Sequence, residues 1–104
     1  MAVTLKALAN GQLAAAKGAL YTVPASTQTA ARVTLVNTGA AARTCNLYVN
    51  PTGTSRRIAP VSLSIGVGEK YESGLVTLEA GDLIEGDASV AAEVDFTVNG
   101  FEAT

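Results

Sequence analysis

The chain has 104 residues and a mass of 10.5 kDa, which corresponds to one domain and excludes two independent ones. Hydrophobic residues make up 48% and charged residues 15%, a composition too apolar and too weakly charged for intrinsic disorder. With no histidine and one cysteine, the sequence excludes Ser-His-Asp and Cys-His catalytic sites, Cys/His zinc sites and an internal disulfide, so we expect neither an enzyme nor a cofactor.

The first sixteen residues, MAVTLKALANGQLAAA, alternate only briefly before the break at Asn10-Gly11. We predict an N-terminal extended arm over residues 1–16, with a first strand of the same sandwich as the alternative, and a β-sandwich domain over residues 17–104. An arm would place its apolar side chains on a neighbouring molecule, often by adding a strand to its sheet. The candidate interface residues of this segment are Val3, Leu5, Leu8 and Leu13.

Alternation of apolar and polar residues predicts the strands of the sandwich domain. We expect them over residues 19–23, 31–37, 44–49, 62–65, 70–75, 76–78, 83–85 and 90–99. The turn at Asn37-Thr38-Gly39 predicts a hairpin between the second and third of these, and Gly66-Val67-Gly68 predicts another hairpin turn. Asn50-Pro51-Thr52-Gly53 is a further strong turn signal.

About eight short strands with frequent turn signals and no long helix predict an all-β fold, an antiparallel β-sandwich or jelly roll. The sequence does not settle the order of the strands. It contains no apolar run of the length that a membrane-spanning helix needs, and its N-terminus lacks the pattern of a signal peptide. We therefore expect a soluble, unexported chain without a membrane partner.

Charge is unevenly distributed along the chain. Residues 1–68 contain six basic residues and no acid, a charge of +6, whereas residues 69–104 contain nine acids and one lysine, a charge of −8. One interpretation is a polar molecule whose two ends meet different neighbours in an assembly. The other is that strands from the two halves interleave, so that the charges pair internally or are solvated.

An arginine pair and the single cysteine are the next residues to consider. Arg56-Arg57 follows a turn and could bind a phosphate or carboxylate of a partner, since guanidinium pairs bidentately with either; as loop arginines they need no partner. Cys45 lies in an alternating run and is predicted to be a buried core thiol. Scattered basic residues and a sequence pI of about 4.9 argue against nucleic-acid binding.

The acids near the C-terminal strands raise the question of a metal site. Asp82, Glu85 and Asp87 lie close together in sequence, and calcium prefers several oxygen ligands from a flexible loop. Their spacing matches no calcium loop. We therefore predict no metal site, and we interpret these acids as a solvated edge that deters unwanted strand pairing.

Four segments carry a resemblance to a known group of proteins: LANGQLAAAKGALYTVPAST, VTLVNTGAAARTCNLYVNPTG, RRIAP and TLEAGDLIEGDAS. Together they cover nearly the whole chain, which resembles the small tailed-bacteriophage virion proteins of the capsid decoration, or cement, type. Those proteins combine an N-terminal extension, a compact β-sandwich and a glycine-aspartate turn, here Gly81-Asp82.

The resemblance implies a capsid decoration protein that binds the outer surface of the major capsid lattice and stabilises the head. It also implies a homotrimer, contact with the major capsid protein or other virion proteins, and a location on the virion after synthesis in the bacterial cytoplasm. No catalytic residues come with this resemblance. The alternatives are a module of a phage tail, neck or fibre, and a carbohydrate-binding sandwich, although the absence of tryptophan counts against the last.

Overall fold

The structure, a computed structural model, describes residues 3–50 and 53–104. Its regular structure is all β, which confirms the predicted fold class. The strands in chain order are β1 (Val3–Gln12), β2 (Gly18–Thr22), β3 (Gln28–Asn37), β4 (Arg43–Asn50), β5 (Arg56–Arg57), β6 (Leu63–Ile65), β7 (Lys70–Glu72), β8 (Val76–Leu78), β9 (Leu83–Ala88) and β10 (Val94–Ala103).

The ten strands occupy eight positions in two antiparallel sheets. Sheet A has the order β1-β10-β3, and β7 and β8 both pair with the far edge of β3. Sheet B has the order β2-β9-β4, and β5 and β6 both pair with the far edge of β4. Apart from the step from β4 to β5, successive positions lie in opposite sheets. This is the arrangement of a jelly-roll sandwich, and it confirms the predicted sandwich.

The core lies between the sheets and is built from alternate residues of each strand. In β3 and β4 the side chains of Val33, Leu35 and Leu47 are fully buried, and from β10 Val98 packs with them. Cys45 belongs to the same core, as predicted, and burial raises the pKa of its thiol to about 11. The thiol therefore stays protonated and inert near neutral pH.

The predicted hairpin between the second and third sandwich strands is wrong, because β3 lies in sheet A and β4 in sheet B. The connection between them crosses the sandwich around the buried side chain of Asn37. Its Nδ2 donates to the carbonyl oxygens of Ala41 and Ile65, at 2.8 and 2.9 Å, and its Oδ1 accepts from the backbone N–H of Gly39 at 2.9 Å. The same alternation that suggested a hairpin also suits two strands that pack against each other from opposite sheets.

The second predicted hairpin is wrong for the same reason. A turn is present, since the N–H of Glu69 donates to the carbonyl of Gly66 at 3.0 Å and Gly68 has a φ of 73°. It joins β6 of sheet B to β7 of sheet A, however. The remaining predicted turn, at residues 50–53, lies in the connection between β4 and β5, which pair with each other. Pro51 and Thr52 of this turn lie outside the described residues.

The outer position next to β3 is divided between β7 and β8 at Ser73. The hydroxyl of Ser73 accepts from the N–H of Val33 at 2.9 Å, and the N–H of Ser73 donates to the carbonyl of Val33 at 2.8 Å. A side-chain oxygen thus replaces a backbone carbonyl in the ladder, and the strand is interrupted there. This edge of sheet A consists of two strands of three residues each.

Residues 3–12 form β1, which pairs with β10 of the same chain from one end to the other. The segment predicted as an arm or a first strand thus lies beside β10 of its own subunit. After β1 the chain crosses towards sheet B, where the carbonyl of Ala14 accepts from the N–H of Ala88 at 3.0 Å. Leu13, at the crossing, is only 1% exposed and is part of the core.

Candidate interaction surface

The structure separates the four apolar residues predicted as contacts in the N-terminal segment. Val3 and Leu5 are 65% and 74% exposed on β1. Leu8 is half-buried at a bulge, where the register with β10 shifts between Ala7 and Ala9, and it packs against the core. Leu13 lies inside its own subunit, because the chain turns inward there, and it belongs to the core.

Strand pairing extends the exposed apolar surface beyond β1. Leu5 lies opposite Phe101 on β10, Phe101 lies opposite Ala30 on β3, and Ala30 lies opposite Thr77 on β8. These four residues form one row across the outer face of sheet A. Val3 and Ala103 lie beside it in the next row. We call the set Val3, Leu5, Ala30, Phe101 and Ala103 the apolar patch.

Phe101 gives the apolar patch its main side chain. In β10 the residues Val94, Phe96 and Val98 face the core, so alternation turns Phe101 towards solvent, where it is 43% exposed. A half-open groove of about 430 Å³ lies beside it. A large aromatic side chain that faces water in the middle of an apolar row is typical of a contact surface.

The outer face of sheet B is polar and internally bonded. The ammonium of Lys17 lies 4.2 Å from the ring centroid of Tyr48, and the guanidinium carbon of Arg57 lies 4.9 Å from it. Arg57 also donates to Oδ1 of Asn46 at 2.6 Å. Arg57 therefore has partners within its own chain, whereas neighbouring Arg56 is exposed and forms no ion pair with any described residue.

Ion pairs join the basic and acidic halves of the chain. Lys6 pairs with Glu102 at 3.0 Å, Lys17 with Glu85 at 3.8 Å and Arg43 with Glu93 at 2.9 Å. In each case the cation comes from residues 1–68 and the acid from residues 69–104. Three of the six basic residues in residues 1–68 are therefore paired with acids of residues 69–104. For these three, the interpretation that strands of the two halves interleave is confirmed.

The acids considered for calcium have separate partners. Asp82 accepts from the N–H of Glu79, Glu85 from the hydroxyl of Ser55, and Asp87 from the amide of Asn46. Within residues 3–50 and 53–104 no group of three His, Cys, Asp or Glu side chains is close enough to hold a metal ion. The same residues include no helix long and apolar enough to cross a membrane.

Lys6, Glu102, Tyr21 and Thr29 form a clasp between the sheets. Glu102 accepts from Lys6 at 3.0 Å and from the hydroxyl of Tyr21 at 2.7 Å, and Tyr21 also lies 3.1 Å from the hydroxyl of Thr29. These hydrogen bonds hold the pKa of Glu102 below its ordinary value of 4.5, the one from Tyr21 contributing most. Burial is the main cause that raises the pKa of Tyr21. The clasp connects β1, β2, β3 and β10.

We expect the clasp to make stability depend on pH. Because Glu102 has a lower pKa in the folded chain than in the unfolded chain, its contribution is complete above about pH 4.5 and is lost as the pH falls through the folded value. Glu102→Gln should cost on the order of 1 kcal/mol at pH 7, and the difference from wild type should shrink by pH 3. Urea denaturation of both proteins across this range measures it. A difference that stays constant from pH 7 to pH 3 would contradict the assignment.

No family model matches the sequence, and no curated protein matches it significantly. Solved structures do match in fold. A chain of the acid-stable capsid structure of Helicobacter pylori bacteriophage KHP30 has a TM-score of 0.56 and 12% identity, with 98% of this chain and 87% of that one covered.

Two structures of infectious bursal disease virus also match. A chain of the Gx strain structure gives a TM-score of 0.54 at 11% identity, and a chain of the T13 particle gives 0.51 at 8% identity. Each match covers 97% of this chain but only 32% and 30% of the viral chains, so this chain spans about a third of their length. At these identities the likeness establishes the fold: the chain has a sandwich that is also found in the capsid structures of a bacteriophage and of a second virus.

Proposed function

We propose that the chain is a structural protein of a virion that binds the outer surface of a capsid lattice as a decoration protein, through the apolar patch of sheet A. The observation that carries this proposal is the row of exposed Leu5, exposed Phe101 and half-buried Ala30 across three paired strands. The sequence resemblance to decoration proteins and the fold shared with capsid structures support it. Self-association belongs to the proposal; the resemblance predicts a homotrimer, and the two-copy contact inferred below from β1 is the alternative to it.

The two faces of the sandwich suit different surroundings. Burying apolar area contributes about 25 cal/mol per Å², so a patch repeated on many copies can add appreciable stability to a shell. On sheet B, Tyr48 is flanked by Lys17 and Arg57 instead of presenting an open ring to a sugar. The polar face of sheet B is therefore the one that we expect to face solvent, and a carbohydrate-binding sandwich is less well supported.

Binding to particles tests the role of the apolar patch. We expect Phe101→Asp to weaken co-sedimentation with virus particles at least tenfold, because a carboxylate would be buried against an apolar partner. Val67→Asp is the matched control, since Val67 is 57% exposed but lies in the turn between β6 and β7. Equal binding of the two variants, both with wild-type melting temperatures, would contradict the proposal.

Ionic strength separates an apolar contact from an ionic one. Screening acts over about 8 Å at physiological salt and weakens contacts between exposed charges. Because Lys6, Lys17 and Arg43 are already paired internally, we expect binding that changes little with salt. Arg56→Glu should then have a small effect.

The copy number in purified virions separates a decoration protein from a tail component. A lattice-wide decoration requires hundreds of copies per particle, whereas a tail, neck or fibre module requires a few to tens. Quantitative gel analysis of the virions that contain the chain measures this directly. A low copy number would favour the tail alternative.

A further inference from the structure

We propose that two copies of the chain join through the free edges of their β1 strands, in an antiparallel two-fold pairing centred on Leu5. The contact would continue sheet A from one copy into the other. It is inferred from the geometry of β1 and does not rest on lattice binding, so its failure would leave the proposed function standing.

The first observation is that β1 is a long edge with a free side. It has ten residues, pairs with β10 on one side, and pairs with no other strand among the described residues. Eight of its ten residues are exposed. The other edge strands are shorter: β2 has five residues, and β5, β6, β7 and β8 have two or three. An edge of this length offers unpaired backbone groups to another strand.

The second observation is that the usual protection of such an edge is weak over residues 3–7. Proteins discourage edge pairing with charges, prolines and bulges. Lys6 is the only charged residue of β1, and its ammonium is bound back to Glu102 at 3.0 Å. The bulge begins only after Ala7. Residues 3–7 thus form a regular, nearly apolar edge whose one charge is already paired.

Charge and strand length together select the register. A two-fold axis perpendicular to the sheet pairs residues of the same face. Centring it on Leu5 pairs Leu5 with itself, Val3 with Ala7 and Thr4 with Lys6, so that all of residues 3–7 have partners. Centring it on Lys6 would place two lysines directly opposite each other, which is destabilising. Centring it on Thr4 would pair only residues 3–5 within this segment.

The same register joins the apolar rows of the two copies. Leu5 is next to Phe101 in each subunit, so the row would run from Phe101 through both Leu5 side chains to the second Phe101. Both patches would lie on one side of the joined sheet. Because the contact is isologous, it uses up both β1 edges and closes at two copies instead of forming a filament.

Cysteine cross-linking tests the contact. Cβ atoms of directly opposed residues lie about 4.5–5.5 Å apart, close to the separation that a disulfide needs. Leu5→Cys should therefore form a disulfide-linked dimer under mild oxidation with diamide, at least tenfold more than Val61→Cys, whose position is 67% exposed on a loop. Native Cys45 is fully buried and does not compete.

Two mixing experiments fix the register. Val3→Cys and Ala7→Cys should cross-link with each other when mixed, and neither should cross-link with itself. Leu5→Lys and Leu5→Asp should each be monomeric in sedimentation equilibrium, whereas an equimolar mixture should restore the dimer, because only a residue on a two-fold axis faces itself. Since Leu5 is largely exposed, we expect these variants to keep the wild-type circular dichroism spectrum.

Because the contact spans only residues 3–7, we expect a weak dimer with a dissociation constant on the order of micromolar. The proposal is overturned if Leu5→Cys cross-links no more than Val61→Cys, or if wild-type protein sediments as a monomer or a trimer at high micromolar concentration. It is also overturned if Leu5→Cys cross-links only to another protein when particles are present, since the edge then receives a strand from a different partner.

Discussion

Replacing Gly100 by alanine is expected to lower stability by about 3 kcal/mol or more, which is roughly 12–24 °C in melting temperature for a domain of this size. Gly100 lies in β10 between Lys6 of β1 and Ala31 of β3. A Cβ at this position would overlap the carbonyl oxygen of Ala30 and lie 2.9 Å from the Cα of Ala31. Both neighbours are backbone atoms, so no side-chain rotation relieves the contact, and β10 would have to move away from β3.

Gly74→Ala is the matched control for this prediction. Gly74 lies between β7 and β8, has nothing within 4 Å of the position that a Cβ would occupy, and does not require a positive φ. Its replacement should change stability by less than about 0.5 kcal/mol. Thermal unfolding followed by circular dichroism compares the two variants. Similar melting temperatures for Gly100→Ala and wild type would show that the strands do not approach as closely as described.

Asn37→Ala is expected to cost about 2–4 kcal/mol, because it removes three hydrogen bonds inside the sandwich and leaves the carbonyl of Ile65 without its side-chain donor. Asn37 is completely buried. Its side chain holds the connection that crosses from β3 to β4, so we expect the loss to loosen both sheets. Urea denaturation gives the free energy of unfolding.

Two further variants separate hydrogen bonding from side-chain volume at this position. Asn37→Asp keeps an acceptor for Gly39 but presents a carboxylate to the carbonyls of Ala41 and Ile65, so it should be at least as unstable as Asn37→Ala at pH 7. Asn99→Ala, at an exposed asparagine of β10, should be close to wild type. A stable Asn37→Asp would contradict the donor role of the amide.

Local pattern predicted the strands well, because alternation records which residues face a core. The segments expected at 31–37 and 44–49 lie within β3 and β4 and make up most of each strand. Which strands pair with each other was harder to predict from the sequence. A strand with one buried face looks the same whether its partner is the next strand in the chain or lies in the opposite sheet, so both predicted hairpins were wrong.

The candidate surface was predicted only in part. Val3 and Leu5 were predicted as contact residues of the N-terminal segment, and they are exposed. Phe101 was missed, because the last strand was expected to end at residue 99, where Gly100 interrupts the pattern. Gly100 in fact lets β10 continue between β1 and β3 as far as Ala103. A row that joins residues from opposite ends of the chain follows from strand register, which no local pattern contains.

The position of β10 between β1 and β3 also determines when the chain can fold during synthesis. Sheet A lacks its central strand until residues 94–103 have left the ribosome, and 81 residues lie between Gln12 and Val94. At about 5–20 residues per second, β1 would wait roughly 4–16 s for its partner. Folding dominated by such distant pairings takes about milliseconds to seconds once the chain is complete. Assembly of sheet A is therefore limited by translation, and the nascent chain carries an unpaired, apolar N-terminal segment throughout that interval.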